Sequence, residues 1–128
     1  AFGYGLSYTT FAYSDLKLST TRPKLGENIE VTCTITNTGK YAGEEVVQLY
    51  LRDISASVTR PVKELKGFKK LMLQPGESKQ VSFSIGMKEL TFYGVDMRPT
   101  VEPGEFNLMI GSSSDNILLE QKFYLQKP

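Results

Sequence analysis

The chain has 128 residues, 40% of them hydrophobic and 23% charged, with 15 basic against 14 acidic side chains and a net charge of +1. That suits one domain with a real core, and the balanced charge leaves no basic stripe of the kind a nucleic-acid binder needs. No stretch approaches the ~20 apolar residues of a membrane-spanning helix, so neither nucleic acid nor membrane is an expected partner.

Taken in chain order, the first feature is a crowd of aromatic residues, Phe2, Tyr4, Tyr8, Phe11 and Tyr13, interleaved with Gly3 and Gly5. A free terminus is normally polar, so these rings are expected to be covered by something. Phe11 and Tyr13 share one parity while Leu16 and Leu18 share the other, and a bulge at Ser14-Asp15 would bring all four to one face. Ile29, Val31, Cys33 and Ile35 then alternate with Glu30, Thr32, Thr34 and Thr36, the pattern of a half-buried strand. Val47, Leu49 and Leu51 make the next strand, with Val46 and Tyr50 on its other face, so it is expected to be covered on both sides. The basic run from Lys63 to Lys70 is interrupted by Glu64, Leu65 and Phe68 and reads as the solvated face of strands. Val81, Phe83 and Ile85 form a further strand, Met87–Leu90 a single helical turn, and Phe106, Leu108 and Ile110 another strand. Ile117, Leu119, Phe123 and Leu125 keep one parity to the end.

The punctuation agrees. Gly-Glu stands ahead of four strands, at Gly26-Glu27, Gly43-Glu44, Gly76-Glu77 and Gly104-Glu105. Gln74-Pro75-Gly76-Glu77 and Glu102-Pro103-Gly104-Glu105 carry the proline and glycine of type II turns. Lys40–Gly43 and Ser112–Asn116 read as loops. About seven strands separated by turns predict an all-β, immunoglobulin-like antiparallel β-sandwich, a single domain over 1–128 with 1–13 as an aromatic entry segment. The chain opens at Ala1 rather than Met, so it reads as part of a longer polypeptide, and the expected compartment is left open.

Catalytic chemistry is not expected. The absence of histidine removes Ser-His and Cys-His pairs together with the commonest general base and metal ligand. The single cysteine, Cys33, excludes an intrachain disulfide and a cysteine zinc cluster, and its inward parity makes it a small buried hydrophobe. Glu27, Glu44, Glu77 and Glu105 sit beside turns and read as solvated surface rather than as the paired carboxylates of glycoside hydrolysis. Asp53, Asp96 and Asp115 lack the close spacing of a calcium loop. No catalytic, cofactor-binding or metal residue is therefore expected. What remains are tyrosines, of which Tyr41, Tyr50 and Tyr93 are weak candidates for stacking against sugar rings; the lack of tryptophan counts against them.

The string Phe2-Gly3-Tyr4-Gly5-Leu6-Ser7-Tyr8-Thr9-Thr10-Phe11 resembles the opening of the C-terminal fibronectin type III-like domain of family 3 glycoside hydrolases, the β-glucosidases and β-xylosidases. The resemblance continues in order through Val31–Gly39, Gly43–Tyr50, Thr59–Phe68, Leu73–Glu77, Val101–Phe106 and Gly111–Ser114, and departs from the family at Arg98-Pro99-Thr100, where an aromatic residue is usual. It implies an accessory domain without catalytic residues of its own, in a retaining enzyme whose nucleophile and acid/base lie in upstream domains. It implies that Phe2, Tyr4, Tyr8 and Phe11, with Arg60, Pro61, Val62 and Leu65, dock on those upstream catalytic domains of the same polypeptide. The alternative role is a carbohydrate-binding module anchoring the enzyme on polysaccharide. Polysaccharide-degrading relatives favour a periplasmic or extracellular setting.

Overall fold

The computed structural model describes residues 9–54, 63–93 and 99–127. Two antiparallel sheets pack face to face. One holds β1 (Phe11–Leu18), β2 (Ile29–Asn37) and β5 (Ser78–Ile85) in the order β1-β2-β5. The other holds β3 (Gly43–Asp53), β4 (Lys63–Leu73), β8 (Gly104–Ser113) and β9 (Asn116–Leu125) in the order β4-β3-β8-β9. A four-residue helix, α1 (Met87–Leu90), and the two-residue strands β6 (Phe92–Tyr93) and β7 (Pro99–Thr100) lie between β5 and β8. Among the described residues no helix is long and apolar enough to cross a membrane. The fold is the expected sandwich of seven principal strands.

The alternating residues meet where a period of two requires. Ile29, Val31, Cys33 and Ile35 of β2 and Val81, Phe83 and Ile85 of β5 face Val47, Leu49 and Leu51 of β3 and Phe106, Leu108 and Ile110 of β8 across the buried layer. Phe106 and Phe123 stack at 5.2 Å between ring centroids. Each such fully buried side chain stabilises the fold by ~1.5–3 kcal/mol relative to its exposed state.

Two bulges decide which face several side chains occupy. In β1 the pairing passes from Ser14↔Thr34 to Lys17↔Thr32, with Asp15 at φ 55°. The extra residue returns Leu16 and Leu18 to the face that Phe11 and Tyr13 share, and all four pack against the core. Aspartate tolerates this left-handed conformation better than a branched residue would. In β4, Gly67 opposes Leu49 and Leu65 opposes Tyr50, leaving Lys66 as the extra residue. This shift puts Leu65 on the same outer face as Phe68, Lys70 and Met72.

The two proline-glycine turns differ. At Gln74–Glu77 the Glu77 amide donates to the Gln74 carbonyl at 2.9 Å and Gly76 has φ 80°, as a type II turn requires. Gly104 has φ 145° and already pairs with Leu125 as the first residue of β8. The Glu102–Glu105 stretch is therefore a strand entry rather than the expected type II turn. The serine run also departs from expectation: Ser112 and Ser113 belong to β8, and β9 begins at Asn116.

Candidate interaction surfaces

At one end of the sandwich lies Thr9, the first of the described residues, and a buried asparagine holds it. The Asn37 Oδ1 accepts from Thr9 Oγ1 at 2.5 Å and from the Gly39 amide at 2.9 Å. Its Nδ2 donates to the carbonyls of Tyr41 at 2.8 Å and Leu73 at 3.0 Å. The backbone of Asn37 is paired as well, its amide donating to the Glu77 carbonyl and its carbonyl accepting from the Gly76 amide. One fully buried amide thus ties β2 to the end of β4, to the turn before β5 and to Thr9. Gly39 is required here, because a Cβ would fall 2.8 Å from the Thr9 Cα. The Thr38 amide holds the Thr10 carbonyl at 2.8 Å. Slightly further in, the Tyr13 hydroxyl donates to Glu45 Oε2 at 2.8 Å across the two sheets, and burial, reinforced by this bond and the Glu45 charge, raises the phenol's ionisation far above its usual range.

The carboxylates beside the turns do more than meet solvent. Glu27 Oε1 accepts from the Lys24 amide at 2.6 Å, and Glu77 Oε1 accepts from the Gln74 amide at 2.8 Å. Glu89 closes α1 in the same way on the Gly86 amide at 2.8 Å. Their job is to satisfy orphan backbone donors at tight corners. Among the described residues, no three His, Cys, Asp or Glu side chains gather as a metal site would require. Cys33 is fully buried, and burial pushes its thiol up to about 11.

The outer face of the four-stranded sheet carries the exposed apolar matter. On edge strand β4, Leu65, Phe68 and Met72 are 50%, 59% and 51% exposed, a ridge interspersed with Lys63 and Lys70. Further across the sheet the picture changes. Gln48 Nε2 donates to the Ser112 carbonyl at 3.1 Å, and Lys63 Nζ to the Ser114 carbonyl at 2.5 Å. Gln48 and Lys63 both point outward, so the β8–β9 hairpin tip bends over this face. The bend needs Gly111, whose Cβ would fall 2.1 Å from the Asn116 carbonyl oxygen.

The sugar-stacking candidates fare differently. Tyr50 is only 8% exposed; its hydroxyl donates to Gln48 Oε1 and Lys63 Nζ lies 5.7 Å from its ring centroid. It has no open ring face, which corrects its place among the stacking residues. The expectation that β3 is covered on both faces is met at this point. Tyr41 is 62% exposed at the entry end, and Tyr93 lies in β6 with its side chain outside the described set. Of the docking candidates, Leu65 stands on the exposed ridge, whereas Phe11 is half-buried against the core. Phe2, Tyr4, Tyr8, Arg60, Pro61 and Val62 lie outside the described residues. Sequence reasoning missed Phe68 and Met72; the apolar interruptions of the lysine run were their only signal.

Residues 45–114 match the family model of the fibronectin type III-like domain. The chain is 50% identical over 113 residues to a β-xylosidase of Formosa agariphila, covering 88% of this chain and 16% of the relative. It is 48% identical over 116 residues to a periplasmic β-glucosidase of Salmonella typhimurium, covering 91% of this chain and 15% of that protein. Among solved structures, β-glucosidase 3B of Thermotoga neapolitana in complex with α-D-glucose superposes with a TM-score of 0.82 at 42% identity, over 98% of this chain and 17% of that one. The chain thus spans about a sixth of the length of these proteins.

Proposed function

Because the chain belongs to the fibronectin type III-like domain family, in the form that β-glucosidases and β-xylosidases carry, we propose that it is a non-catalytic domain of a retaining family 3 glycoside hydrolase, packing on and stabilising the catalytic domains. The observation that carries this reading is the match of nearly the whole chain to a sixth of such enzymes. The ridge of Leu65, Phe68 and Met72 supports a docking role, since three large apolar side chains on one edge form a surface that a neighbour would bury. Interfaces between domains of one chain typically bury ~600–1,500 Å², enough for the loss of this domain to be felt by its neighbours.

The test is a full-length enzyme carrying this domain, compared with a version lacking it and with a Leu65→Ser/Phe68→Ser double variant. The expected result is a clear fall in thermal midpoint on deletion and a smaller fall in the double variant, with the catalytic residues untouched. An unchanged midpoint and unchanged activity on deletion would overturn the stabilising role.

A further inference from the structure

A second surface lies at the opposite edge of the same sheet. After β1 the chain turns and runs beside the end of β9: the Tyr124 amide donates to the Thr21 carbonyl at 2.8 Å, the Gln126 amide to the Pro23 carbonyl at 2.8 Å, and the Leu25 amide to the Gln126 carbonyl at 3.2 Å. Gln126 Nε2 also donates to the Arg22 carbonyl at 2.5 Å. Between this segment and β9 opens a groove of about 550 Å³. Its chemistry comes from Thr21, Arg22, Glu105, Gln121, Lys122 and Tyr124. Tyr124 is 40% exposed, and the Arg22 guanidinium lies over one face of its ring, 5.1 Å from the centroid. Lys122 Nζ stands 3.9 Å from Glu105 Oε2.

We propose that this groove binds a neutral oligosaccharide, with a pyranose lying against the part of the Tyr124 ring that Arg22 leaves uncovered. Three observations carry it. The volume falls in the ~300–1,000 Å³ range of small-molecule sites. The walls mix donors (Arg22, Lys122, Gln121) with acceptors (Glu105, Gln121, the Thr21 hydroxyl), which suits a ligand whose hydroxyl groups each donate and accept. A site for phosphate or carboxylate would place no Glu105 carboxylate among its cations. Finally, the backbone bonds fix both walls before any ligand arrives, so little ordering entropy is lost on binding. The groove lies at the β9 edge of the sheet, three strands from the β4 ridge. This binding goes beyond the accessory role above, and either can fail without the other.

The experiment is a ¹⁵N NMR titration of the 128-residue chain with cellotetraose and xylotetraose, and separately with inorganic phosphate. Saturable shifts are expected at the amides of residues 21–22 and 121–124 with at least one of the sugars, and none there with phosphate. Tyr124→Ala should weaken the affinity about tenfold, equivalent to ~1.4 kcal/mol, while Tyr124→Phe keeps the ring and the binding. Arg22→Ala, at an exposed position outside the strands, should weaken it several-fold with the fold intact. Absence of saturable shifts at ~10 mM sugar, an affinity too weak for any specific contact, overturns the proposal. So does binding that Tyr124→Ala and Arg22→Ala leave unchanged, shifts confined to the Tyr41 end, or phosphate occupying the groove instead.

Discussion

The two edges of the four-stranded sheet solve the same problem in opposite ways. An edge strand exposes unpaired amides and carbonyls that invite further pairing. The β4 edge carries Lys63, Lys69 and Lys70 among its apolar ridge residues, charges that discourage another strand from adding while leaving Leu65, Phe68 and Met72 presented outward. The end of β9 is instead covered by the chain itself, through backbone bonds from residues 21–25, and the price is a polar groove where the two segments part. One edge is guarded by charge and offers apolar area; the other is guarded by pairing and offers hydrogen-bonding groups. Composition alone would not separate them, since both contain lysine, glutamate and an aromatic ring.

The contrast can be broken most severely at the buried amide that anchors the β4 end. Asn37→Ala would leave the Gly39 amide and the Leu73 and Tyr41 carbonyls without their partner, and a loss of about 3 kcal/mol is expected in urea unfolding, in line with ~1–3 kcal/mol for each unsatisfied buried group partly relieved by water. A smaller loss is expected on the other half of the sheet. Gly111→Ala forces the hairpin tip away from the Asn116 carbonyl and should cost ~1–3 kcal/mol, with increased solvent exposure of Tyr50 and Met109 seen in amide exchange and tyrosine fluorescence. Losses that fail to add in the double variant would show that the two regions are not anchored independently.

The next effect depends on pH. The Cys33 thiol ionises at about 11 in the fold, above the ordinary thiol range, and the Tyr13 phenol is shifted in the same direction. A raised folded value means that the folded state holds its proton where the unfolded chain has released it. The stabilising contribution is therefore fully present below ~8.5, the unfolded thiol value, and is lost as pH climbs toward about 11. Urea midpoints should stay level with respect to this group up to ~8.5 and fall between there and about 11, and Cys33→Ala should flatten that part of the slope. An identical alkaline slope in the variant would remove Cys33 from the account. The smallest effect is expected on the ridge: Phe68→Ser should change the stability of the isolated chain by no more than ~0.5 kcal/mol, as for other exposed positions. A large loss there would mean that Phe68 already packs within this domain, and the two edges would no longer differ as described.

Much of this architecture was legible in the residues. Strict alternation from Ile29 to Ile35 and from Val81 to Ile85 leaves one pairing register that buries every apolar side chain, since a slip by one residue would turn them all outward. The parity break at Ser14-Asp15 announced the β1 bulge for the same reason. The bulge at Lys66 was not legible, because Leu65 and Phe68 stand in a run where lysines occupy both parities and no apolar pattern marks the extra residue. Tyr50 was misplaced because exposure on the outer face depends on a hairpin tip more than sixty residues away in sequence. The glutamates beside the turns were seen, but their hydrogen bonds to Lys24 and Gln74 needed the turn geometry to exist first.

What the sequence determined by itself is the sandwich: a period of two and well-placed glycines and prolines are local properties that act wherever the chain finds a partner strand. What only the tertiary structure decided is which surfaces remain open. The β4 ridge exists because a bulge rotates Leu65 outward, and the groove exists because residues 21–25 happen to meet the end of β9, about a hundred residues further along the chain. Such surfaces are set by contacts between distant segments, and a distant contact leaves no period in the sequence to be read.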